Sequence, residues 1–581
     1  MMKNVNFIIK HNSLTKGFMK KLLTVSLFAF FIAFTACNNA NNTPNGQNES
    51  DTVPVKSVSI EKSVTVTSGD TYTFDVKVFP ENATDKTVVF KVDSKYKDYA
   101  TVLDKNAGKI KFQNTGNKEA VIEIKCTAQD GSKKTAKSTV TINLALPPVF
   151  NYSGFDFISA GPAYDCSSNM VISWHSEVAD NVIEYTDANG EVFTNTKTVM
   201  GTKTECDWAD KASFYRCRIE LTGLEPDAVY KYRVKKAGAG EGDTASVSDI
   251  RTFTTAGNDT SFNFAVLSDL HTPKGSKSYI KNISQLLDYS LESIKNDESI
   301  SNKTLPLCIF NGDMVNKGQT YQQWNYWGQE PSLAKIIYAF VEGNHDYYPY
   351  KNKDRVTDSW YLDCVAIPNA QDSTFNKAIT TNLEPTNYYF IYNNVLFICL
   401  DTMMMEASDM SGKYDTSFAK QQQWFKEVVN ANLGKYSYLV VTKHYTFING
   451  NTVSDYGDYN SWYKLFDECM VDFAIGSDEH TYSRTKPLYQ KKAQENSTES
   501  QTVGTVYLTT PQTEGSLDNI TDRKTGGLSA FDGTEGGCGG LYFNVSDKKM
   551  TMHLIGAEGK ECDTYTVYKR DRSGFTGFED N

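Results

Sequence analysis

The sequence predicts a multidomain chain in which two all-β sandwiches precede a larger α/β domain. Its 581 residues exceed what one hydrophobic core usually organises, so several domains are expected. Short alternating strands separated by turn residues fill the first part of the chain, whereas buried strand runs and helical spacing follow from about residue 260. The abundance of tyrosine (34) and phenylalanine (32) also favours strand-rich architecture.

Residues 1–36 have the layout of a bacterial export signal. Met19-Lys20-Lys21 is basic, residues 22–33 are almost entirely apolar, and small residues lead to Cys37. The apolar run is shorter than the about 20 residues that span a bilayer, which favours a cleaved signal over a permanent helical anchor. Phe34-Thr35-Ala36-Cys37 resembles a lipobox, although Phe stands where Leu is usual. The resemblance implies lipid attachment at Cys37 and a place in the cell envelope, periplasmic or on the outer surface.

Charge and composition restrict the partners of the exported chain. Loss of residues 1–36 removes five lysines and no acidic residue, so the formal charge moves from −11 to −16. Such an acidic surface disfavours nucleic-acid binding, which depends on clustered lysine and arginine, and no specific nucleic-acid partner is expected. Residues 37–52 are rich in Asn, Gly, Ser and Thr and predict a flexible tether.

The cysteines predict thiols and disulfides rather than a metal site. None of the 11 lies in a CxxC spacing. Cys206 and Cys217 are close enough in sequence to be one candidate pair, although connectivity cannot be deduced from sequence. Cys308 and Cys399 lie inside apolar strand-like runs and are predicted to be buried, inert thiols.

Residues 53–146 form the first predicted β module. Alternating segments such as residues 71–78 and 120–125 recur with turn residues between them, at intervals typical of a sandwich. The module contains no histidine and no apparent catalytic motif. We therefore expect a spacer, or an adhesive module with a cell-surface or host ligand.

The second predicted β module, residues 147–257, begins at Pro147-Pro148. Residues 224–234 predict a turn that enters a strand, and a tyrosine so placed commonly bonds back across the corner of a sandwich. His175 follows Trp174 in a strand run and is expected to be a structural or surface histidine.

Residues 258–581 change to an α/β pattern. A strand run at 262–267, helical spacing at 279–295 and a second strand run at 305–310 predict a βαβ unit. Two strands around Asn393-Asn394 predict a hairpin, with bounds 388–392 and 395–400.

A helix at 417–430 and a strand at 438–441 are predicted next, and strands at 503–508, 540–545, 550–555 and 562–568 complete the sheet. Together, these strands and helices predict a sandwich of mixed sheets with helices on the outside.

Metal-ligand residue types follow the predicted strands, at the edge where open α/β sheets place their sites. The motifs are Asp269-Leu270-His271, Gly312-Asp313, Gly343-Asn344-His345-Asp346, Lys443-His444 and Asp478-Glu479-His480. Four of the seven histidines fall in these five motifs. The other three are His11, His175 and His553, the last in a predicted strand and expected to be structural or solvent-facing.

The order of these motifs resembles the calcineurin-like metallophosphoesterases, in the branch of the purple acid phosphatases. The first β module resembles a bacterial immunoglobulin-like group 2 domain. The second resembles a fibronectin type III-like module, which also precedes the catalytic domain in purple acid phosphatases. The resemblance implies an α/β four-layer (αββα) catalytic domain that hydrolyses phosphate esters, monoester or diester, with two metal ions (Fe, Mn or Zn).

The resemblance also implies the site residues. One metal would take Asp269, His271 and His480, the other would take Asn344 and His444, and Asp313 would bridge them. His345 would contact the phosphate and stabilise or protonate the leaving oxygen, and Asp346 would orient the imidazole of His345. Two cations about 3.5–4 Å apart can generate a nucleophile and stabilise the charge on the phosphoryl oxygens.

Two positions depart from the family pattern. Asp478 stands where the first histidine of the last motif is expected, so it would be a second-site ligand that favours Mn²⁺, Mg²⁺ or iron over Zn²⁺. Asn316 replaces the tyrosine that gives purple acid phosphatases their colour, so no purple band is expected; its side chain would ligate or bond within the loop. Tyr347 and Tyr348 would line the cleft or pack. The rival interpretation is a surface binding lipoprotein with a degraded catalytic domain that holds one metal or none.

Overall fold

The structure is a computed structural model. It describes residues 52–114, 119–143, 154–205, 213–240, 242–243, 245–257, 261–273, 278–346, 359–368, 379–381, 383, 385–401, 418–448, 457–494, 502–515, 529–532 and 538–579. The predicted signal, Cys37, Cys206, Tyr347 and Tyr348 lie outside this part of the chain. No helix within it is both long and apolar enough to cross a membrane.

The described residues of the first β module form nine strands. They are β1 (Ser57–Ser59), β2 (Ser63–Thr67), β3 (Thr71–Thr73), β4 (Lys77–Phe79), β5 (Val88–Val92), β6 (Ala100–Asp104), β7 (Lys109–Phe112), β8 (Ala120–Ala128) and β9 (Thr135–Asn143). β2, β9, β8 and β5 form a four-stranded sheet, β3, β7 and β6 form a three-stranded sheet, and β1 pairs with β4. In β8 every second side chain is buried, because one face of the strand contributes to the module's own core.

The second β module is a sandwich of two four-stranded sheets. Its strands are β10 (Phe155–Pro162), β11 (Asn169–Ser176), β12 (Asp180–Thr186), β13 (Phe193–Met200), β14 (Thr202–Glu205), β15 (Ser213–Thr222), β16 (Val229–Lys236) and β17 (Arg251–Thr254). One sheet has the order β10-β11-β15-β14 and the other β13-β12-β16-β17. The predicted corner contact is confirmed, since the Tyr230 hydroxyl accepts a 2.8 Å hydrogen bond from the Glu225 N–H. Cys217 is buried and forms no disulfide with another described cysteine; Cys206 lies outside the described residues.

The third domain contains fifteen strands among the described residues. They are β18 (Phe262–Leu267), β19 (Leu307–Asn311), β20 (Ile337–Val341), β21 (Tyr388–Tyr392), β22 (Val395–Leu400), β23 (Tyr438–Tyr445), β24 (Phe473–Ser477), β25 (Ser483–Thr485), β26 (Leu488–Tyr489), β27 (Lys492–Ala493), β28 (Val506–Thr509), β29 (Ser529–Asp532), β30 (Gly540–Val545), β31 (Lys549–Ile555) and β32 (Glu561–Tyr568). A six-stranded sheet has the order β20-β19-β18-β30-β31-β32, and a seven-stranded sheet has the order β21-β22-β23-β24-β28-β25-β29. β26 and β27 form a small pair.

Five α-helices accompany these strands in the described part of the domain. They are α1 (Lys281–Asn296), α2 (Tyr321–Gly328), α3 (Tyr361–Cys364), α4 (Phe418–Ala431) and α5 (Gly457–Cys469). Short 3-10 helices occupy Ser94–Tyr96, Pro331–Ala334 and Ala557–Gly559. The predicted βαβ unit is confirmed, because β18 and β19 pair in parallel across α1. The predicted hairpin is also confirmed, with β21 antiparallel to β22.

The two large sheets pack face to face between outer helices. Phe264 of β18 lies 5.0 Å from Phe397 of β22, ring centre to ring centre, which joins the sheets through their inner faces. Leu396 and Ile398, the neighbours of Phe397, point the other way and pack with residues of α4 and α5. This alternation follows from the two-residue period of a strand, and the resulting four layers confirm the predicted αββα architecture.

His175 joins the second β module to the third domain. It is fully buried, and its Nδ1 lies 2.6 Å from the Tyr321 hydroxyl while its Nε2 donates to the Asp363 carbonyl oxygen at 2.8 Å. Of the two predicted roles, structural or surface residue, the structural one is therefore confirmed for His175. The module contacts α2 through β10 and α3 through β11.

Candidate metal centre

The five predicted motifs meet at one edge of the two sheets. β18, β19 and β20 run parallel in the first sheet, as do β23 and β24 in the second, so their carboxyl ends lie on the same side. Asp269 and Asp313 follow β18 and β19 by two residues, and Asp478 directly follows β24. His444 lies one residue before the end of β23.

The backbone at this edge adopts conformations that ordinary residues rarely use. Asp269, His271, Asp313, Asp478 and His480 have φ values of 52°, 47°, 56°, 74° and 56°. Left-handed conformations of non-glycine residues are uncommon, cost free energy and concentrate at functional sites. The strand ends therefore turn sharply, which aims these five side chains into one space.

Two motif glycines allow the loops to approach each other. A Cβ atom on Gly312 would lie 2.3 Å from Nδ1 of His444, and one on Gly343 would lie 2.3 Å from the backbone nitrogen of Asp313. Gly312 also has a φ of 92°, which favours glycine. Glycine precedes Asp313 and Asn344 because there is no room for a larger residue.

Four side chains form the first ligand group. Ligand atoms of Asp269, His271, Asp313 and His480 all lie within 4.8 Å of one another. Nε2 of His271 is 2.8 Å from Oδ2 of Asp313, and Nε2 of His480 is 3.5 Å from Oδ1 of Asp269. These residues are the set predicted for the first metal together with the bridging aspartate.

The second ligand group surrounds His444. Its Nε2 lies 3.2 Å from Oδ1 of Asp313, 3.6 Å from Oδ1 of Asp478 and 3.1 Å from Oδ1 of Asn344. Its Nδ1 donates to the Asn311 carbonyl oxygen at 2.9 Å, which fixes the tautomer that leaves Nε2 for a ligand. Asp313 belongs to both groups, with Oδ2 in the first and Oδ1 in the second.

The donor set fits a pair of cations. Oδ1 of Asp269 and Oδ2 of Asp313 are buried and lack a hydrogen bond of ordinary geometry, although imidazole nitrogens lie close to both. Two ligands at about 2.1 Å from one ion are about 3.0–3.4 Å apart at octahedral and tetrahedral angles. The observed separations of 2.8–3.6 Å therefore suit atoms that share a cation.

Neighbouring carboxylates favour the charged form of the buried His271 imidazole. Burial alone would lower the pKa of His271, but contacts with the carboxylates of Asp313 and Glu514 raise it to about 10. Asp313 has its pKa held well below the usual range, since the charge of His444 and the contact with His271 outweigh burial. Burial raises the pKa of Asp269. A cation that binds here must displace protons.

His345 and Asp346 have hydrogen-bond partners other than those predicted. Nδ1 of His345 donates to the main-chain carbonyl of Asn316 at 3.0 Å. Asp346 is fully buried and accepts backbone N–H groups of Asp313, Val315 and Gly343 at 2.9, 3.2 and 2.8 Å. The expectation that Asp346 orients the imidazole is therefore wrong; its carboxylate is committed to the backbone of both loops, and Asn316 orients the ring.

Several residues of the site were not predicted from the sequence. Ser477 donates to the carbonyl of Asn311 at 2.7 Å and lies 3.0 Å from Nδ1 of His444. Lys443, fully buried, pairs with Asp458 of α5. Glu514 lies beside His271, outside all five motifs. Only the position of Ser477 and Lys443 next to predicted ligands could have drawn attention to them.

Tyr482 and Arg484, which follow the last motif, stabilise the fold rather than line the pocket. Tyr482 donates to Asp563 at 2.7 Å, and Arg484 makes two hydrogen bonds to the same carboxylate at 2.7 and 3.1 Å. Because Asp563 lies on β32 and Arg484 on β25, this network joins the two sheets.

Family models match three consecutive parts of the chain. Residues 262–482 match the calcineurin-like phosphoesterases, residues 160–255 match the N-terminal domain of purple acid phosphatases, and residues 54–139 match the bacterial Ig-like domain (group 2). Each match falls on a domain to which the sequence motifs had pointed, and the resemblance to purple acid phosphatase-like metallophosphoesterases is confirmed.

Curated relatives, one of them a purple acid phosphatase, are similar in sequence to part of this chain. Purple acid phosphatase 13 of Arabidopsis thaliana is 24% identical over 329 residues, which cover 50% of this chain and 53% of that protein. An uncharacterized protein of Mycobacterium tuberculosis is 24% identical over 357 residues, with 56% and 61% covered. The chain thus spans between half and two thirds of the length of these curated relatives.

A solved structure shares the fold. The purple acid phosphatase isolated from yellow lupin (Lupinus luteus) seeds superposes with a TM-score of 0.55 at 12% identity, covering 89% of this chain and 96% of that one. At this identity the likeness establishes the fold alone.

Proposed function

We propose that this chain, whose residues 262–482 match the calcineurin-like phosphoesterases, hydrolyses phosphate esters at a two-metal site. The observation that carries the proposal is the pair of ligand groups that share Asp313, one carboxylate oxygen in each group. The residues that would hold the two cations are Asp269, His271 and His480 for the first, Asn344, His444 and Asp478 for the second, and Asp313 for both.

When bound, the cations would supply a hydroxide nucleophile near neutral pH and neutralise charge on the phosphoryl oxygens. The chain's own contribution is to hold the donors in place. Asn311 and Ser477 fix the His444 ring, and the backbone bonds of Asp346 fix the loops that carry Asp313 and Asn344. No side chain needs to become phosphorylated.

His345 is proposed as the group that acts on the leaving oxygen. Its Nδ1 is committed to the carbonyl of Asn316, so Nε2 is the atom that can donate a proton to the ester oxygen as the bond breaks. The ring is half-buried and lies 4.6 Å from that of His271, centre to centre. The side chain that we propose as the acid would thus act beside the first ligand group.

Asp478 and Asn316 are proposed to set the metal type. A third carboxylate in the ligand set favours Mn²⁺, Mg²⁺ or iron over Zn²⁺, because oxygen ligands suit harder ions. Asn316 cannot provide the tyrosinate that colours purple acid phosphatases, so the loaded protein should show no purple band.

The cell envelope is the proposed location. The support is the sequence of residues 19–37, with its basic start, apolar run and lipobox-like end. A lipid at Cys37 would tether the hydrolase outside the cytoplasm, for scavenging or for editing envelope polymers, and the first β module would bind a surface ligand. Metabolic labelling with a fatty acid should mark the wild-type protein and leave a Cys37→Ala variant unmarked.

Metal analysis and two substrates test the enzymatic proposal. Purified protein is loaded with Mn²⁺, Zn²⁺ or Fe²⁺, its metal content is measured, and turnover of p-nitrophenyl phosphate and bis-p-nitrophenyl phosphate is followed. Two ions per chain and turnover that His345→Ala lowers sharply would support the proposal. No metal and no turnover under any loading would contradict it and favour the surface-binding alternative.

A further inference from the structure

Glu514 lies on a loop that is bonded to the strand end carrying Asp269. The loop follows β28, and the backbone N–H groups of Thr513 and Glu514 donate to the carbonyl oxygens of Ser268 and Asp269 at 2.7 and 3.0 Å. The Thr513 hydroxyl accepts from the Ser268 N–H at 3.3 Å. This part of the loop therefore runs beside the first ligand motif although it is more than two hundred residues away in sequence.

Helix α1 fixes the loop from the other side. The Asn282 side-chain amide donates to the carbonyl oxygens of Thr513 and Gly515 at 2.8 and 3.0 Å, one on each side of Glu514. The backbone on both sides of Glu514 is thus held, and the direction of its side chain is set by the fold.

The Glu514 carboxylate lies beside the His271 ring, on the side opposite Asp313. Its Oε2 lies 3.1 Å from Nδ1, while Nε2 on the opposite side of the ring lies 2.8 Å from the bridging Asp313. The two side chains are 14% and 2% exposed, so solvent weakens their interaction little. In the part of the chain that the structure describes, Nδ1 has no hydrogen bond of ordinary geometry, and the approach of Oε2 is the polar contact it does have.

We propose that Glu514 is the positioning residue of the first metal site: it holds the proton of His271 on Nδ1 and so keeps Nε2 as the coordinating atom. The inference rests on the proposed two-metal function. A carboxylate behind a ligating histidine fixes the tautomer and makes the ring a stronger donor. His444, the histidine of the second site, has neutral oxygens of Asn311 and Ser477 in that place. The Glu514 carboxylate therefore adds negative charge behind the ligands of the first site. This charge favours binding of the more highly charged cation at that site.

Variants of Glu514 test the assignment through metal affinity. Glu514→Gln keeps the shape and loses the charge, Glu514→Ala removes the contact, and Glu468→Gln, an exposed position on α5, is the control with the same change of net charge. Titration of metal-free protein with Mn²⁺ or Zn²⁺ against a competing chelator should show the first site weakened by about 10- to 100-fold in Glu514→Ala. The loss should be smaller in Glu514→Gln, and Glu468→Gln should match wild type.

The tautomer of His271 can be measured directly, and a general loss of stability would not change it. With histidine selectively labelled with ¹⁵N, the Zn²⁺-loaded wild type should show a protonated Nδ1 in slow exchange with water for one ring that His271→Gln removes. In Glu514→Ala that proton should exchange faster, with the His444 signal unchanged.

The outcomes separate this inference from the proposed function. Wild type that binds two ions, together with Glu514 variants of unchanged affinity and unchanged Nδ1–H exchange, would overturn the role of Glu514 alone. Wild type that binds no metal would overturn the two-metal function and this inference with it. If Glu514→Ala fails to fold, Glu514→Gln decides between these results.

Discussion

Replacing Asp478 by histidine restores the residue type that the family motif has at this position. In the structure Oδ1 of Asp478 lies 3.6 Å from the ligating nitrogen of His444, so the position belongs to the second ligand group. The change replaces an anionic oxygen with a neutral nitrogen. We expect it to raise affinity for Zn²⁺ relative to Mn²⁺, because imidazole suits Zn²⁺ better than carboxylate does.

The same change should alter the preference among substrates. The Asp478 side chain is 35% exposed, so its charge is partly screened by water. At about 6 Å from a phosphoryl group and an effective dielectric constant of about 40, one unit charge contributes about 1.4 kcal/mol, or about tenfold in rate. A monoester dianion carries one more negative charge than a diester monoanion. Removal of the carboxylate should therefore raise kcat/KM for the monoester over the diester by about tenfold.

The assay compares Asp478→His with Asp478→Asn, which loses the charge but gains no imidazole. Both variants should shift kcat/KM from bis-p-nitrophenyl phosphate toward p-nitrophenyl phosphate, whereas only Asp478→His should bind Zn²⁺ more tightly in a chelator competition. Unchanged metal content and an unchanged substrate ratio in both variants would refute the placement of Asp478 in the site.

Three further predictions concern other parts of the account. Asp313→Asn should lose at least one of the two ions in elemental analysis, whereas the exposed control Asp547→Asn should keep both; equal metal content would contradict a shared ligand. Gly312→Ala should weaken the second site in chelator competition, since its Cβ would meet His444 at 2.3 Å, and unaltered affinity would contradict that contact. Burial lowers the pKa of His175 to about 3, below the about 6.5 of the unfolded chain. Its stabilising effect is complete above pH 6.5 and falls by about 1.4 kcal/mol per pH unit toward pH 3. Urea unfolding should therefore depend less on pH between 6.5 and 4 in a His175→Gln variant, and parallel pH profiles would refute this.

The ligands could be predicted from the sequence because residues of metal-binding type follow the ends of predicted strands. The buried runs before Asp269, Asp313 and Asp478 mark where β18, β19 and β24 stop, and parallel strands bring such ends together. The hairpin at Tyr388–Tyr392 and Val395–Leu400 was predicted to the residue, because two apolar strands flank a short turn.

Other features depend on contacts that no local pattern encodes. The short helix α2 was not predicted, since three of its four buried side chains, Tyr321, Trp324 and Trp327, bond to a loop or to the second β module. Asp346 was assigned to the wrong partner because adjacency in sequence to His345 does not show where a carboxylate points. Glu514 was missed because it reaches the site through the tertiary fold alone.

Anomalous diffraction from crystals of the Mn²⁺-loaded protein, recorded near the manganese absorption edge, would show whether two ions bind beside Asp313. We expect two peaks about 3.5–4 Å apart, the spacing of two-metal hydrolases, with one oxygen of Asp313 coordinated to each. A single peak, or peaks remote from Asp313, would contradict a shared two-metal centre.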